Sequence, residues 1–183
     1  MIASDMNFAN PEANIKQLEL APGSRVADFG AGSGVYTLAA ARAVGERGKV
    51  YAVDVQKELL TKLSSHATAE GVGNVEVIWG DLDRVGGSKI LDGTMNAVIL
   101  SNVLFQSEDK QALLLEAKRV LVPGGKALIV DWSESFGGLG PSPAHVVSAE
   151  EGKKMITEAG LTITKEFNAG AHHWGVVVLR PAL

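Results

Sequence analysis

The chain has 183 residues, of which 46% are apolar, and a formal net charge of -4 at neutral pH. A domain of this length buries roughly 70% of its unfolded surface, so we expect one domain spanning residues 1–183. The acidic balance offers no basic field for general nucleic-acid binding. Small molecules or proteins are therefore the expected partners.

Two absences in the sequence limit the chemistry and the location. The chain contains no cysteine, which excludes disulfides, thiolate metal sites and a thiol nucleophile within it. Its first residues, MIASDMNFANPEANIKQ, lack the basic and apolar regions of a secretory signal. No apolar run approaches the roughly 20 residues that a bilayer span requires. These features predict a cytoplasmic protein.

Helical and strand-like segments alternate along the first three quarters of the chain. Within the N-terminal segment, residues 1–24, Asn10 and Pro11 predict the start of a helix over residues 11–20. Strands are predicted at residues 25–29, 49–54, 75–79, 97–100 and 126–131, and helices at residues 35–44, 56–70 and from Ser107 onward. Short aliphatic runs of this kind are typical of parallel strands buried on both faces.

The C-terminal part has a different topology. Two strand-like segments, residues 161–167 and 174–179, are separated only by residues 168–173, whereas a parallel crossover needs a dozen or more residues. We therefore predict an antiparallel hairpin, preceded by a helix whose capping box begins at Ser148. A hairpin of this kind is unusual in dinucleotide-binding Rossmann domains, which argues against a nucleotide-dependent oxidoreductase.

A glycine-rich loop follows the first predicted strand. In VADFGAGSG, Gly30, Gly32 and Gly34 occupy alternate positions after Asp28. Glycines let the backbone approach a ligand closely, and the following helix N-terminus supplies free amide donors. Asp54 ends the next strand about 20 residues on, where an acid can bind both hydroxyls of a ribose. The combination favours a ribose-bearing ligand over a turn without a ligand.

Four stretches of the sequence resemble the motifs of class I S-adenosylmethionine-dependent methyltransferases. They are VADFGAGSG, VYAVDVQ, IWGDLDRV, and NAVILSNVLFQ with the downstream RVLVPGGKALIVDW. Within that class the chain is most similar to the methyltransferases of ubiquinone and menaquinone biosynthesis. The resemblance implies an α/β fold: a seven-stranded Rossmann-like methyltransferase sheet, mostly parallel, in the order 3-2-1-4-5-7-6. It also implies S-adenosylmethionine as cofactor and S-adenosylhomocysteine as product.

The same resemblance implies roles for individual residues. Asp54 is expected to hold the ribose hydroxyls, Val55 to pack on adenine, and Asp81 to accept a hydrogen bond from the adenine amino group. The complete predicted cofactor-binding set is Asp28, Gly30, Ala31, Gly32, Gly34, Asp54, Val55, Gly80, Asp81, Leu82, Ser101 and Asn102. Structural alternatives remain for some of them, since Asp28 could cap the following turn and Asp81 could serve only as a turn former.

The methyl acceptor is predicted to be a small molecule, and no dedicated base is required because alignment of the reactants supplies much of the catalysis. Should the acceptor have to lose a proton, the candidate bases are Asp131, His145, His172 and His173. The adjacent histidines could equally form a solvated hairpin tip, and without a third ligand they predict no metal site. The alternative function is a catalytically silent cofactor-binding module that acts through a protein partner; a homodimer is also possible.

Departures from family patterns narrow the acceptor. The lack of cysteine disfavours arsenite, and SNVLFQ stands where enzymes that methylate nucleic-acid amino groups have an Asn-Pro-Pro-Tyr type sequence. The segment between the fifth strand and Ser148 is short, so a quinone acceptor is not expected to carry over. With no long insertion available, residues 1–11, which include Met6 and Phe8, are the candidate lid over the cofactor.

Overall fold

One seven-stranded sheet organises the part of the chain that the computed structural model describes, residues 9–182. The strands are β1 (Arg25–Phe29), β2 (Lys49–Asp54), β3 (Val75–Trp79), β4 (Met95–Ser101), β5 (Leu121–Trp132), β6 (Thr162–Gly170) and β7 (His173–Leu179). The helices are α1 (Pro11–Ile15), α2 (Val35–Val44), α3 (Lys57–Ala69), α4 (Lys110–Val120) and α5 (Ala149–Glu158). Residues 1–8 of the predicted lid lie outside the described residues.

The strand order is β3-β2-β1-β4-β5-β7-β6, which confirms the order that the resemblance implies. Strands β1 to β5 are mutually parallel, and β7 lies antiparallel between β5 and β6. The carboxyl ends of the parallel strands therefore share one edge of the sheet, and the first residue of β7 joins them there. Within residues 9–182 no helix has the length and apolar character that a membrane-spanning helix requires.

Both faces of the sheet are covered, which explains why its central strands are apolar throughout. Successive side chains of a strand point to opposite faces. Thus Phe29 of β1 belongs to the core under α4 and α5. Val26, three positions earlier in the same strand, points to the other face and packs with residues of α1 and α2 such as Ile15. The two edge strands, β3 and β6, are the least buried.

The first helix is shorter than predicted. Helix α1 ends at Ile15 and continues only as a 3-10 turn over Lys16–Leu18, because Glu19 adopts a left-handed backbone with a φ of 52°. Helix α4 begins at Lys110 with Asp109 as its N-cap. The prediction that this helix begins at Ser107 is wrong, since the Ser107 hydroxyl instead donates a hydrogen bond to Asp83.

The C-terminal hairpin is tighter than the sequence indicates. Residues 168–170 and His173 belong to the strands, so only Ala171 and His172 form the turn, and His172 has a φ of 63°. Strand β7 pairs along β5 from Trp132 to Lys126, and this pairing extends both strands beyond their apolar runs. The capping box at Ser148 is confirmed: its side chain and that of Glu151 satisfy each other's backbone amides.

Candidate active site

A cavity of about 270 Å³ opens at the carboxyl ends of β1, β2, β3 and β4. Seven of the residues predicted to bind the cofactor line it: Gly30, Gly32, Asp54, Val55, Gly80, Asp81 and Leu82. The structure adds Gln56, Leu59, Asp83, Val103, Gln106, Ser107 and Leu113. Seven of the twelve predicted residues therefore meet at one cavity, at the edge where α/β sheets bind their ligands.

The glycine loop has left-handed backbone at three positions, with φ of 74° at Gly30, 52° at Gly32 and 84° at Gly34. The three glycines serve different purposes. A Cβ on Gly30 would lie 2.7 Å from Val103, and one on Gly34 would lie 2.6 Å from Leu63 of α3. A Cβ on Gly32 would meet only a carbonyl oxygen at 3.9 Å, so it would project into open space. Gly32 is thus the glycine that leaves room for a ligand.

Asp54 connects the end of β2 to this loop. Its carboxylate accepts one hydrogen bond from the Gly32 amide at 2.9 Å and another from the Gln56 amide at 2.9 Å, each on a different oxygen. The residue is only 6% exposed. A carboxylate oxygen has two lone pairs, so each oxygen retains acceptor capacity toward the cavity. Two further donors, such as vicinal hydroxyls, can therefore be accommodated.

Asp81 lies in the turn after β3, on the other side of the cavity. Its carboxylate accepts the Asp83 amide at 3.1 Å and lies 3.1 Å from the Arg84 side chain. The following turn packs closely against the backbone of Asp81, because a Cβ on Gly87 would lie 1.7 Å from the Asp81 carbonyl oxygen. Both the turn-forming and the ligand-binding interpretations of Asp81 are compatible with this geometry.

A buried carboxylate that the sequence analysis missed holds that turn in place. Glu116 of α4 accepts hydrogen bonds from the Gly86 amide at 2.6 Å and the Ser88 amide at 3.0 Å, and it pairs with Arg119 at 2.7 Å. Burial alone would raise the pKa of Glu116, but the donated bonds outweigh it and lower the pKa. Nothing in the local sequence of α4 signals this contact across the fold.

Three other predicted residues do not line the cavity. Asp28 is buried and accepts a hydrogen bond from the Thr37 hydroxyl at 2.6 Å; burial raises its pKa to about 6. Ala31 packs against Leu63, and Gly34 is the N-cap of α2. Asp28 is therefore hydrogen-bonded to the first turn of α2, as the capping alternative predicts, and its direct contact with a ligand stays a prediction.

Ser101 and Asn102, at the end of β4, also lie outside the set that lines the cavity. Ser101 shares a hydrogen bond with Tyr36, whose hydroxyl accepts a bond from the Asn14 amide at 2.9 Å. Asn102 has a φ of 55°, and its buried Oδ1 has no hydrogen-bond partner among the described residues. An orphaned acceptor of this kind is costly unless a donor reaches it. The Asn14–Tyr36 contact joins distant segments and has no sequence signal.

Two of the candidate bases have structural partners. Asp131 is fully buried and accepts the backbone amides of Trp132 at 2.8 Å and Phe105 at 3.3 Å. Burial raises the pKa of Asp131 to about 6, although the hydrogen bonds from these amides lower it in part. His145 is exposed, and its Nδ1 lies 2.7 Å from the Ser142 hydroxyl. Neither residue lines the cavity.

The adjacent histidines differ from each other. His172 lies in the turn, where its Nδ1 is 2.6 Å from Glu134 and its ring stacks on Phe136. His173 is buried, with only 7% of its surface exposed, so the interpretation of both residues as a solvated tip is wrong for His173. Antiparallel pairing with Trp132 draws it into the sheet.

Trp79, at the end of β3, is half exposed and lies outside the residues that line the cavity. Its ring is flanked by the ammonium groups of Lys57 and Lys89, at 4.4 and 4.7 Å from the ring centroid. Its indole nitrogen donates to the Val55 carbonyl at 2.9 Å. This bond fixes the backbone of Val55, which is 60% exposed at the cavity.

Two curated relatives and one solved structure are similar to this chain. It is 34% identical over 112 residues to an arsenite methyltransferase of Halobacterium salinarum, covering 61% of the chain and 28% of the relative. It is 31% identical over 114 residues to the ubiquinone/menaquinone biosynthesis C-methyltransferase UbiE of Vibrio cholerae, covering 62% of the chain and 43% of the relative. The chain therefore spans less than half the length of these relatives.

The solved structure is a SAM dependent methyltransferase from Aquifex aeolicus. It superposes with a TM-score of 0.84 at 29% identity, covering 93% of this chain and 89% of that one. The family model described as a methyltransferase domain matches residues 20–169, which include the glycine loop, Asp54, Asp81 and the hairpin strand β6. On this match the chain belongs to the methyltransferase domain family.

Proposed function

We propose that the protein transfers a methyl group from S-adenosylmethionine to a small molecule. The family match and the Aquifex relative identify S-adenosylmethionine as the cofactor. The proposal rests on the site around the hydrogen bond from the Gly32 amide to the Asp54 carboxylate at the cavity. It combines a buried carboxylate with spare acceptor capacity and a loop position at which any side chain would project into the open space.

The residues present fit this cofactor. Asp54 would accept the two ribose hydroxyls on the lone pairs left free by Gly32 and Gln56. Val55 and Leu82 offer apolar surface for adenine, and Asp81 offers an acceptor for its amino group. The Oδ1 of Asn102 is buried at the end of β4, outside the residues that line the cavity, and would accept a hydrogen bond from a charged ammonium group that reached it.

The bound cofactor would supply an electrophilic methyl group on a sulfonium. The chain's own contribution is to hold donor and acceptor in line, which is worth on the order of 7 to 11 kcal/mol in the best intramolecular models. The left-handed backbone of the glycine loop and the hydrogen bond from its Gly32 amide to Asp54 hold these cavity-lining residues in place before a ligand binds. Such preorganisation lowers the cost of alignment.

The acceptor proposed here is neither arsenite nor a nucleic acid. Arsenic(III) is a soft centre that favours thiolate ligands, and the chain has no cysteine to provide them. The net charge of -4 offers no general attraction for polyanions. We propose a small organic molecule as the acceptor class. A cytoplasmic location and a homodimer stay predictions.

Isothermal titration calorimetry with S-adenosylhomocysteine and with NAD tests the cofactor site. We expect saturable binding of S-adenosylhomocysteine and none of NAD; the reverse pattern would contradict the proposal. An acceptor screen that detects release of S-adenosylhomocysteine then tests catalysis. If the cofactor binds but no acceptor in a broad screen is methylated, the alternative of a silent cofactor-binding module that acts through a protein partner gains support.

A further inference from the structure

His173 holds an unused acceptor atom inside the protein. Its Nδ1 lies 2.8 Å from the Ala171 carbonyl oxygen, and its Nε2 is buried without a hydrogen-bond partner among the described residues. The other three histidines each have a side-chain partner: His66 with Glu70, His145 with Ser142 and His172 with Glu134. A buried polar atom left unpaired costs stability, which suggests that a ligand pairs with it.

The bond to Ala171 determines which nitrogen of His173 carries the proton. A carbonyl oxygen can only accept, so Nδ1 must be the donor, and in the neutral ring Nε2 then has the free lone pair. Burial lowers the pKa of His173; the hydrogen bond to Ala171 opposes this shift, and the neighbouring His172 adds to it. The lowered pKa and the hydrogen bond both favour the neutral ring, with its lone pair on Nε2.

Strand pairing places His173 itself on the acceptor side of the proposed site. The residue pairs with Trp132 at the end of β5, and β5 lies next to β4, which ends at Ser101. Two strand spacings, about 10 Å, separate the ends of β4 and β7. The proposed adenine and ribose contacts lie over β3 and β2, so the reactive end of the cofactor would lie over β1 and β4, toward His173.

We propose, resting on the proposed function, that His173 is a catalytic residue whose Nε2 accepts the proton of a methyl acceptor bearing an acidic O–H, as in a phenol or enol. The acceptor oxygen forms its bond to the methyl carbon, and the carbon–sulfur bond breaks with its electron pair left on sulfur. The O–H proton moves to Nε2, and the imidazolium later releases it to water. Charge and atoms balance without another reactant.

An acceptor can reach the buried Nε2 of His173 only if the residues that cover it move. The ring of Trp132 lies 4.3 Å from that of His173, and the backbone at Gly140 rests on Trp132, since a Cβ there would lie 2.5 Å from the indole. Gly137, Gly138 and Gly140 all have left-handed backbone, a conformation that glycine adopts and leaves at little cost, so the proposal requires this loop to move away from Trp132. A site closed in this way excludes water from the reacting groups.

The test uses the full chain saturated with S-adenosylhomocysteine and ¹⁵N NMR of the imidazole nitrogens. Phenol is the probe, and anisole, which has the same ring but no O–H, is its matched control. We expect His173 to carry its proton on Nδ1 and its Nε2 signal to shift to saturation with phenol but not with anisole. The His173→Asn variant can keep the bond to Ala171 but lacks Nε2, and His66→Gln, on the exposed face of α3, is the control variant.

We expect His173→Asn to weaken phenol binding about tenfold and to lower phenol-dependent turnover by about 10² to 10⁴-fold. The affinity for S-adenosylhomocysteine should change by less than about twofold. A proton on Nε2, equal shifts with phenol and anisole, no phenol binding, or full turnover in His173→Asn would each overturn the proposal. His173→Gln replaces the variant if His173→Asn does not fold. Failure of the wild type to bind S-adenosylhomocysteine would instead refute the proposed function, and calorimetry detects it beforehand.

Discussion

The two halves of the candidate site differ in how they are built. On the side of β2 and β3, an open cavity is lined by short motifs in which the important residues are neighbours in sequence, as in Asp54 with Val55 and Gly80 with Asp81. On the side of β5 and β7, Trp132 and His173 meet only through antiparallel pairing, and their rings close over each other.

This difference separates the binding of the cofactor from the binding of the acceptor in physical terms. Binding an adenosine needs acceptors and glycines at fixed spacings, and one strand–loop–helix unit can supply them. Binding a particular acceptor needs groups from distant segments, whose contacts depend on the whole fold. Substitutions on the first side should therefore weaken cofactor binding, while substitutions on the second side should affect acceptor binding and turnover and leave the cofactor affinity unchanged.

Gly32→Val should produce the largest effect on cofactor binding. The side chain would enter the open space of the cavity, and a β-branched residue resists the left-handed φ of 52°. We expect the affinity for S-adenosylhomocysteine to fall at least about 100-fold by calorimetry, or about 2.7 kcal/mol. Gly23→Val is the matched control, with a φ of 86° and no atom within 4 Å of its Cβ. Equal losses in both variants would attribute the effect to backbone strain.

Asp54→Asn should weaken the same binding by about 1.5 to 3 kcal/mol, because charge-assisted hydrogen bonds to the ribose are lost. Part of the loss would come from the glycine loop, because the Gly32 amide donates a hydrogen bond to this carboxylate and would be held less firmly. Asp92→Asn changes an exposed carboxylate that pairs with Arg119, and it serves as the control. Unchanged affinity in Asp54→Asn would move the ribose site away from β2.

Asp28→Asn should change the pH dependence of stability. The pKa of Asp28 is raised from 3.8 to about 6 by burial, so the folded protein binds more protons than the unfolded chain between these values. The wild type should thus lose stability relative to the variant as the pH rises from 4 to 6, with a slope that stays below about 1.4 kcal/mol per pH unit. Urea unfolding at several pH values measures this. A constant difference would mean that Asp28 ionises normally.

Deletion of residues 1–8 should have the smallest effect. If this segment helps to cover the cofactor, its loss should weaken S-adenosylhomocysteine binding and lower turnover together, each by a few-fold, with an unchanged melting temperature. Calorimetry and thermal unfolding of the truncated chain measure these changes. Full affinity and turnover would reject the lid, and turnover that falls on dilution of the intact chain would indicate cover by a second subunit.

The sequence alone predicted most of the strands and the glycine loop with Asp54, and the resemblance to methyltransferases implied the sheet order. Strands β1, β2 and β3 match their predicted bounds to the residue, since apolar runs that end at glycine or aspartate leave little choice of register. The glycine loop and Asp54 were predicted from spacing, because both contacts lie within one local unit.

Only the tertiary structure decided the rest. Whether Asp28 touches a ligand or Thr37, and whether His173 is exposed or buried, depends on which segments pack above each residue. The bond from Gly86 to Glu116 joins residues 30 positions apart, and no local pattern encodes it. Burial and hydrogen bonding between distant segments follow from the assembled fold, whereas turns, strands and caps follow from neighbours along the chain.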